Sequence, residues 1–79
     1  MEHRTQMILR RLGRNLAAER QRAGLTQEQV AESMGVQVTQ YSRMERGEHD
    51  TGVSFYLRAM WAIGMTAQEL LHRLDERMP

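Results

Sequence analysis

The chain has 79 residues, 41% hydrophobic and 27% charged, a mixture that suits one small soluble domain spanning 1–79. It contains no cysteine, which excludes disulfide staples, thiolate metal sites and cysteine nucleophiles. No apolar run approaches the roughly 18 residues that cross a bilayer, and the opening Met1-Glu2-His3-Arg4 lacks a signal-peptide pattern, so a cytoplasmic location without membrane contact is expected.

The formal net charge of +1 hides an uneven distribution. Residues 1–24 carry six arginines against two glutamates, whereas residues 48–79 carry three arginines against five acids. All eleven basic residues are arginine. Arginine suits bidentate contacts to phosphate and guanine, and a basic N-terminal half points toward a polyanionic partner. On charge alone, a solvated helix face reads the same way.

The pattern is helical throughout, with glycines and caps as punctuation. Apolar Leu9, Leu12 and Leu16 recur with a period near 3.6 and predict a first helix over Met7–Ala23, with 1–6 as an N-terminal arm and Gly24 as the stop. Thr26 and Gln29 form a capping-box pattern that opens a short second helix, which ends before Gly35. A third helix is expected from Val38 to Arg46, closed by Gly47, although Gln37 is a poor capping residue. After a loop over Gly47–Gly52, Val53–Ile63 forms the fourth helix and Gly64 closes it. A second capping box, Thr66 with Glu69, opens a fifth helix expected to run through Leu70, Leu71 and Leu74 to about Arg77.

Between Gln27 and Arg46 the residue types fall in a particular order. Val30, Met34, Val36, Tyr41 and Met44 are apolar, while Ala31 and Gly35 are small. Two helices crossing at roughly 90–120° over a tight turn need a small residue at the crossing and a residue tolerant of positive φ in the turn. Ala31 and Gly35 supply them. The outer face of the third helix is left polar, with Gln37, Thr39, Gln40 and Arg43.

The run from Arg20 through Gly24-Leu25-Thr26-Gln27 to Val30-Ala31, then Met34-Gly35-Val36, then Ser42-Arg43-Met44-Glu45-Arg46-Gly47, closely resembles the Cro/CI-type (Xre-type) helix-turn-helix DNA-binding domains. The resemblance continues through Ala62-Ile63-Gly64 and Leu70-Leu71 and covers about residues 9–74. It implies an all-α, lambda-repressor-like bundle of five helices. It also implies a bacterial or phage-encoded transcriptional regulator, most simply a repressor, that binds double-stranded operator DNA as a homodimer on an inverted repeat. Carried over residue by residue, it places Val38, Thr39, Gln40 and Arg43 at base edges and Thr26, Gln27, Gln37 and Arg46 at phosphates. Arg20 and Glu45 match a structural ion pair that ties the first helix to the end of the third.

Three departures qualify the match. The loop after the third helix carries Glu48, His49 and Asp50 where basic residues are usual, and acids beside phosphate cost affinity. Tyr41 replaces an aliphatic residue, and its hydroxyl then needs a partner. Trp61 stands where a charged surface residue is common, so Trp61, Met65 and Leu74 are candidates for a dimer or protein-partner contact. That surface keeps open an alternative, a protein-interaction module or antitoxin built on the same fold. His3, His49 and His72 are scattered without ligand spacing, and Ser33, Ser42 and Ser54 have no local histidine, so neither metal, cofactor nor enzymatic chemistry is expected.

Overall fold

A computed structural model describes residues 2–75. Five helices follow in order, α1 (His3–Arg22), α2 (Gln27–Met34), α3 (Val38–Arg46), α4 (Val53–Ile63) and α5 (Ala67–Leu70), with no strand among the described residues. None of these helices is long and apolar enough to cross a membrane.

Helix α1 begins four residues before the position its apolar period suggests. The Glu2 carboxylate accepts from the Arg4 amide at 3.2 Å and from the Thr5 hydroxyl at 3.2 Å, which caps an earlier start. Residues 3–6 are therefore the first turn of α1 and not an arm. Position 1 lies outside the described residues.

The capping box at α2 is complete. The Thr26 hydroxyl accepts from the Gln29 amide at 3.1 Å, and the Gln29 side chain accepts from the Thr26 amide at 2.8 Å. Gly35, at φ +73°, ends α2 in the left-handed region and turns the chain within three residues into α3. Gln37 gives α3 no side-chain cap; its carbonyl accepts from the amides of Gln40 and Tyr41 instead.

The core draws on every helix. Leu9 and Leu16 of α1 meet Val30, Ala31 and Met34 of α2, Tyr41 and Met44 of α3, and Tyr56, Ala59 and Ile63 of α4, with Met65 and Leu70 closing the base. Helices α1 and α3 approach backbone to backbone at two glycines. The Cα of Gly13, buried in mid-helix, lies against the carbonyls of Met44 and Glu45, and Gly47 lies against the backbone of Leu9 and Arg10.

Helix α5 is one turn long, far shorter than its leucine pattern predicts. The Asn15 side-chain amide donates to the carbonyls of Leu70 (2.8 Å) and His72 (3.0 Å), and the Arg11 guanidinium donates to the Arg73 carbonyl at 2.6 Å. The Leu74 amide bonds Leu71 and not Leu70, and Arg73 takes φ +65°. Carbonyls that a longer helix would consume internally are captured by α1, so the chain turns. The expected extension to Arg77 passes beyond the described residues.

Candidate nucleic-acid interface

The start of α2 and the end of α3 are locked onto α1 by one carboxylate. Glu45 accepts from Arg20 Nε at 2.6 Å and Nη2 at 3.2 Å, and from the Gln27 side-chain amide at 2.8 Å. Arg20 also donates to the Leu25 carbonyl at 2.9 Å, which fixes the turn before α2. Burial pushes the Glu45 pKa upward, but the hydrogen bonds from Arg20 and Gln27, with the Tyr41 hydroxyl close by, outweigh it and hold the carboxyl below its ordinary range. Burial, and then the neighbouring carboxylate, raise the Tyr41 phenol far above its usual value. The Tyr41 hydroxyl is fully enclosed beside this pair, at a geometry short of a well-formed hydrogen bond.

With the two helices set in this way, α3 presents its outer face to solvent. Thr39 and Arg43 are exposed, and Gln27, Val38, Thr39, Ser42, Arg43 and Arg46 line a shallow depression of about 290 Å³. Five of the eight residues matched to DNA contact therefore converge on one surface. The other three do not line it: Thr26 and Gln37 are exposed, and Gln40 is half-buried.

The chemistry of this surface suits a polyanion with base edges. Arg43 forms no ion pair with another described residue, so its five donors are available to solvent or a ligand. The Thr26 hydroxyl spends its acceptor on the cap but keeps its hydrogen to donate. The free amides at the start of α2 form a positive helix end of the kind that receives phosphate. Gln27 is partly committed, since one amide hydrogen already serves Glu45.

The acidic loop acts directly on the site. Glu48 pairs with Arg46 (Nε to Oε2, 2.5 Å), and Arg46 also donates to the Ser42 hydroxyl at 2.7 Å. Both partners of the ion pair are exposed, and the Arg46 guanidinium beside Glu48 holds that carboxyl below its usual pKa.

Several contributors escaped the sequence reading. Ser42 lies on the face of Thr39 and Arg46 by simple helical spacing, a signal that was available. Asn15 and Gly13 act across to other helices, and nothing near them in sequence marks those roles. Arg58 donates to the Met34 carbonyl at the end of α2 and stacks on Phe55, 5.1 Å from the ring centroid, which binds the helix-turn-helix to α4.

The candidates for a dimer or partner contact separate. Trp61 is 72% exposed, over a groove shared with Ser33, Met34, Arg58 and Ala62. Leu74 is half-buried, and Met65 is buried in the core at 6% exposure, so Met65 has no free surface to offer a partner. Among the described residues no three His, Asp or Glu side chains are placed to hold a metal ion.

Comparison with known proteins agrees with this geometry. A family model described as a helix-turn-helix domain matches residues 11–74. The crystal structure of the restriction-modification controller protein C.AhdI from Aeromonas hydrophila is similar, with 27% sequence identity and a TM-score of 0.73. The match covers 78% of this chain and 94% of that one. No curated relative matches the chain.

Proposed function

The chain belongs to the helix-turn-helix domain family, in its Cro/CI-type branch, and is a DNA-binding regulator of transcription; we propose that it binds an inverted-repeat operator as a homodimer and represses from there. The observation that carries this reading is the exposed face of α3, where Thr39 and the unpaired Arg43 stand over a depression shared with Gln27 and Arg46. In this reading α3 lies in the major groove. Arg43 reads guanine O6 and N7, Thr39 bonds a base edge, and Val38 packs on a thymine methyl. Thr26, Gln27, Gln37 and Arg46 hold phosphates and set the register. Two protomers then engage half-sites about 34–36 Å apart, or a multiple of that. Similarity to a restriction-modification controller protein supports a regulatory role for this chain.

Selection of bound duplexes from a random library at two salt concentrations tests the proposal. Enrichment of an inverted repeat, with affinity falling steeply as salt rises, is the expected result. Failure to enrich any sequence would overturn it. A second reading, a module that holds a protein partner, is favoured by the exposed Trp61. Size-exclusion chromatography separates the two. A stable homodimer supports operator binding, and a monomer that shifts only with a co-purified protein supports the alternative.

A further inference from the structure

The contacts above leave part of the arginine-rich N-terminal half unexplained. Within α1, Arg20 is bound to Glu45, Arg22 to Glu19, and Arg11 to the Arg73 carbonyl. Arg10 and Arg14 are exposed and form no hydrogen bond or ion pair with any other described residue. They lie four residues apart, so they share one face of α1 and are separated by about 6 Å along its axis.

Their position follows from the α1–α3 crossing. A Cβ on Gly47 would lie 2.7 Å from the Arg10 nitrogen, so Arg10 is held backbone-to-backbone against the residue that follows Arg46. Gly13, next to Arg14, is pressed onto the Glu45 and Met44 carbonyls. The two free arginines therefore flank the last turn of α3, where Arg46 leaves the recognition surface. The acids there are already engaged: Glu45 is taken by Arg20 and Gln27, and Glu48 by Arg46. Arg10 and Arg14 thus have no acid as a direct partner, and through the Arg10–Gly47 contact they follow on Arg46, which lines the depression.

We infer that Arg10 and Arg14 form a second backbone clamp that grips the phosphates of duplex DNA flanking the stretch read by α3. This rests on the proposed DNA-binding role and extends the contact surface from α2 and α3 to α1. It also gives a reason for an arginine pair that nothing in the fold requires. Two exposed cations on one face of a rigid helix present their guanidinium groups from a fixed backbone, and arginine donates bidentately to phosphate oxygens. Such contacts carry no sequence information.

The test compares wild type, Arg10→Ala/Arg14→Ala, and Arg4→Ala as a control cation on another face of α1, in fluorescence-anisotropy titrations. The duplexes are the selected site and a scrambled one, at several salt concentrations. Thermal melts confirm that each variant folds, as expected for exposed helical positions changed to alanine. The double variant should bind both duplexes about tenfold or more weakly, lower the slope of log K against log salt by about 1.8 for each bound protomer and so by about 3.6 for the homodimer, and leave the selected base preferences unchanged. Arg4→Ala should change little. If the wild type binds steeply but the double variant keeps the same affinity and slope, the clamp is overturned and the α3 reading stands. A loss confined to the selected sequence overturns it as well, because a phosphate grip acts on every duplex. If the wild type binds no duplex at all, the underlying DNA-binding reading fails and the clamp fails with it.

Discussion

Gly13→Ala gives the sharpest test of how this domain is held together. Alanine in mid-helix normally stabilises by about 1 kcal/mol relative to glycine, and Gly13 has no positive φ to protect. The added methyl, however, would sit 2.3 Å from the Glu45 carbonyl oxygen and 2.5 Å from that of Met44. Ordinary contact begins near 3.4 Å, and both obstacles are backbone, so neither can rotate aside. Relief requires α1 and α3 to separate by about 1 Å. A gap of that size forfeits a quarter to a half of the dispersion attraction across the Leu16–Met44 region, and it stretches the Arg20–Glu45 bond, now 2.6 Å. Overpacking of this kind costs about 1–3 kcal/mol. With the lost packing added and the propensity gain subtracted, the net destabilisation is about 3 kcal/mol. For a domain of this size that lowers Tm by roughly 12–24 °C, readable by circular dichroism at neutral pH. Gly24→Ala is the reference, since its Cβ meets nothing within 4 Å and it bears only the cost of a positive φ, about 1–2 kcal/mol. If Gly13→Ala melts at or above wild type, or no lower than Gly24→Ala, the argument from the α1–α3 approach is refuted.

Arg43→Ala should cost about 1–3 kcal/mol of operator affinity and relax specificity at one base position in a repeated selection; undiminished binding to the best site would exclude a reading role. Glu48→Gln frees Arg46 from its exposed partner and removes a charge that repels phosphate. Binding should tighten several-fold on specific and scrambled duplexes alike, and unchanged or weaker binding in anisotropy titrations would show that Glu48 does not compete with phosphate for Arg46. Glu45→Gln should lower stability at pH 7 by about 3 kcal/mol in urea melts, because Arg20 is left almost enclosed without its charge partner. Its pH dependence has a definite sign. The folded pKa of Glu45 is depressed, so its contribution is fully present above the unfolded value near 4.3 and is lost as pH falls through the folded value. The gap in stability between wild type and Glu45→Gln should therefore narrow below about pH 4, and a gap that stays constant down to pH 2 would rule out the pairing as its source.

What the linear sequence determined here is what depends on neighbours a few residues apart. Thr26 with Gln29 and Thr66 with Glu69 cap their own helices, and Gly35 and Gly47 end α2 and α3, because each motif closes within one or two turns of chain. The polar face of α3 follows from helical period alone, whereas the packing of α4 decides that Ile63 turns inward and Trp61 outward. Contacts between distant segments were decided only by how the helices cross. The clearest cases are the shortening of α5 by Asn15 and Arg11, the burial of Met65, and the commitment of the Gln27 amide to Glu45. The same holds for Gly13, whose place in α1 looks like a weak helix residue until the carbonyls of α3 are set against it. Periodicity specifies which face of a helix is apolar, but it contains no term for the distance or angle to the next helix. That geometry arises from the packing of all five helices at once, and it sets the Arg10 backbone of α1 against Gly47 at the end of α3.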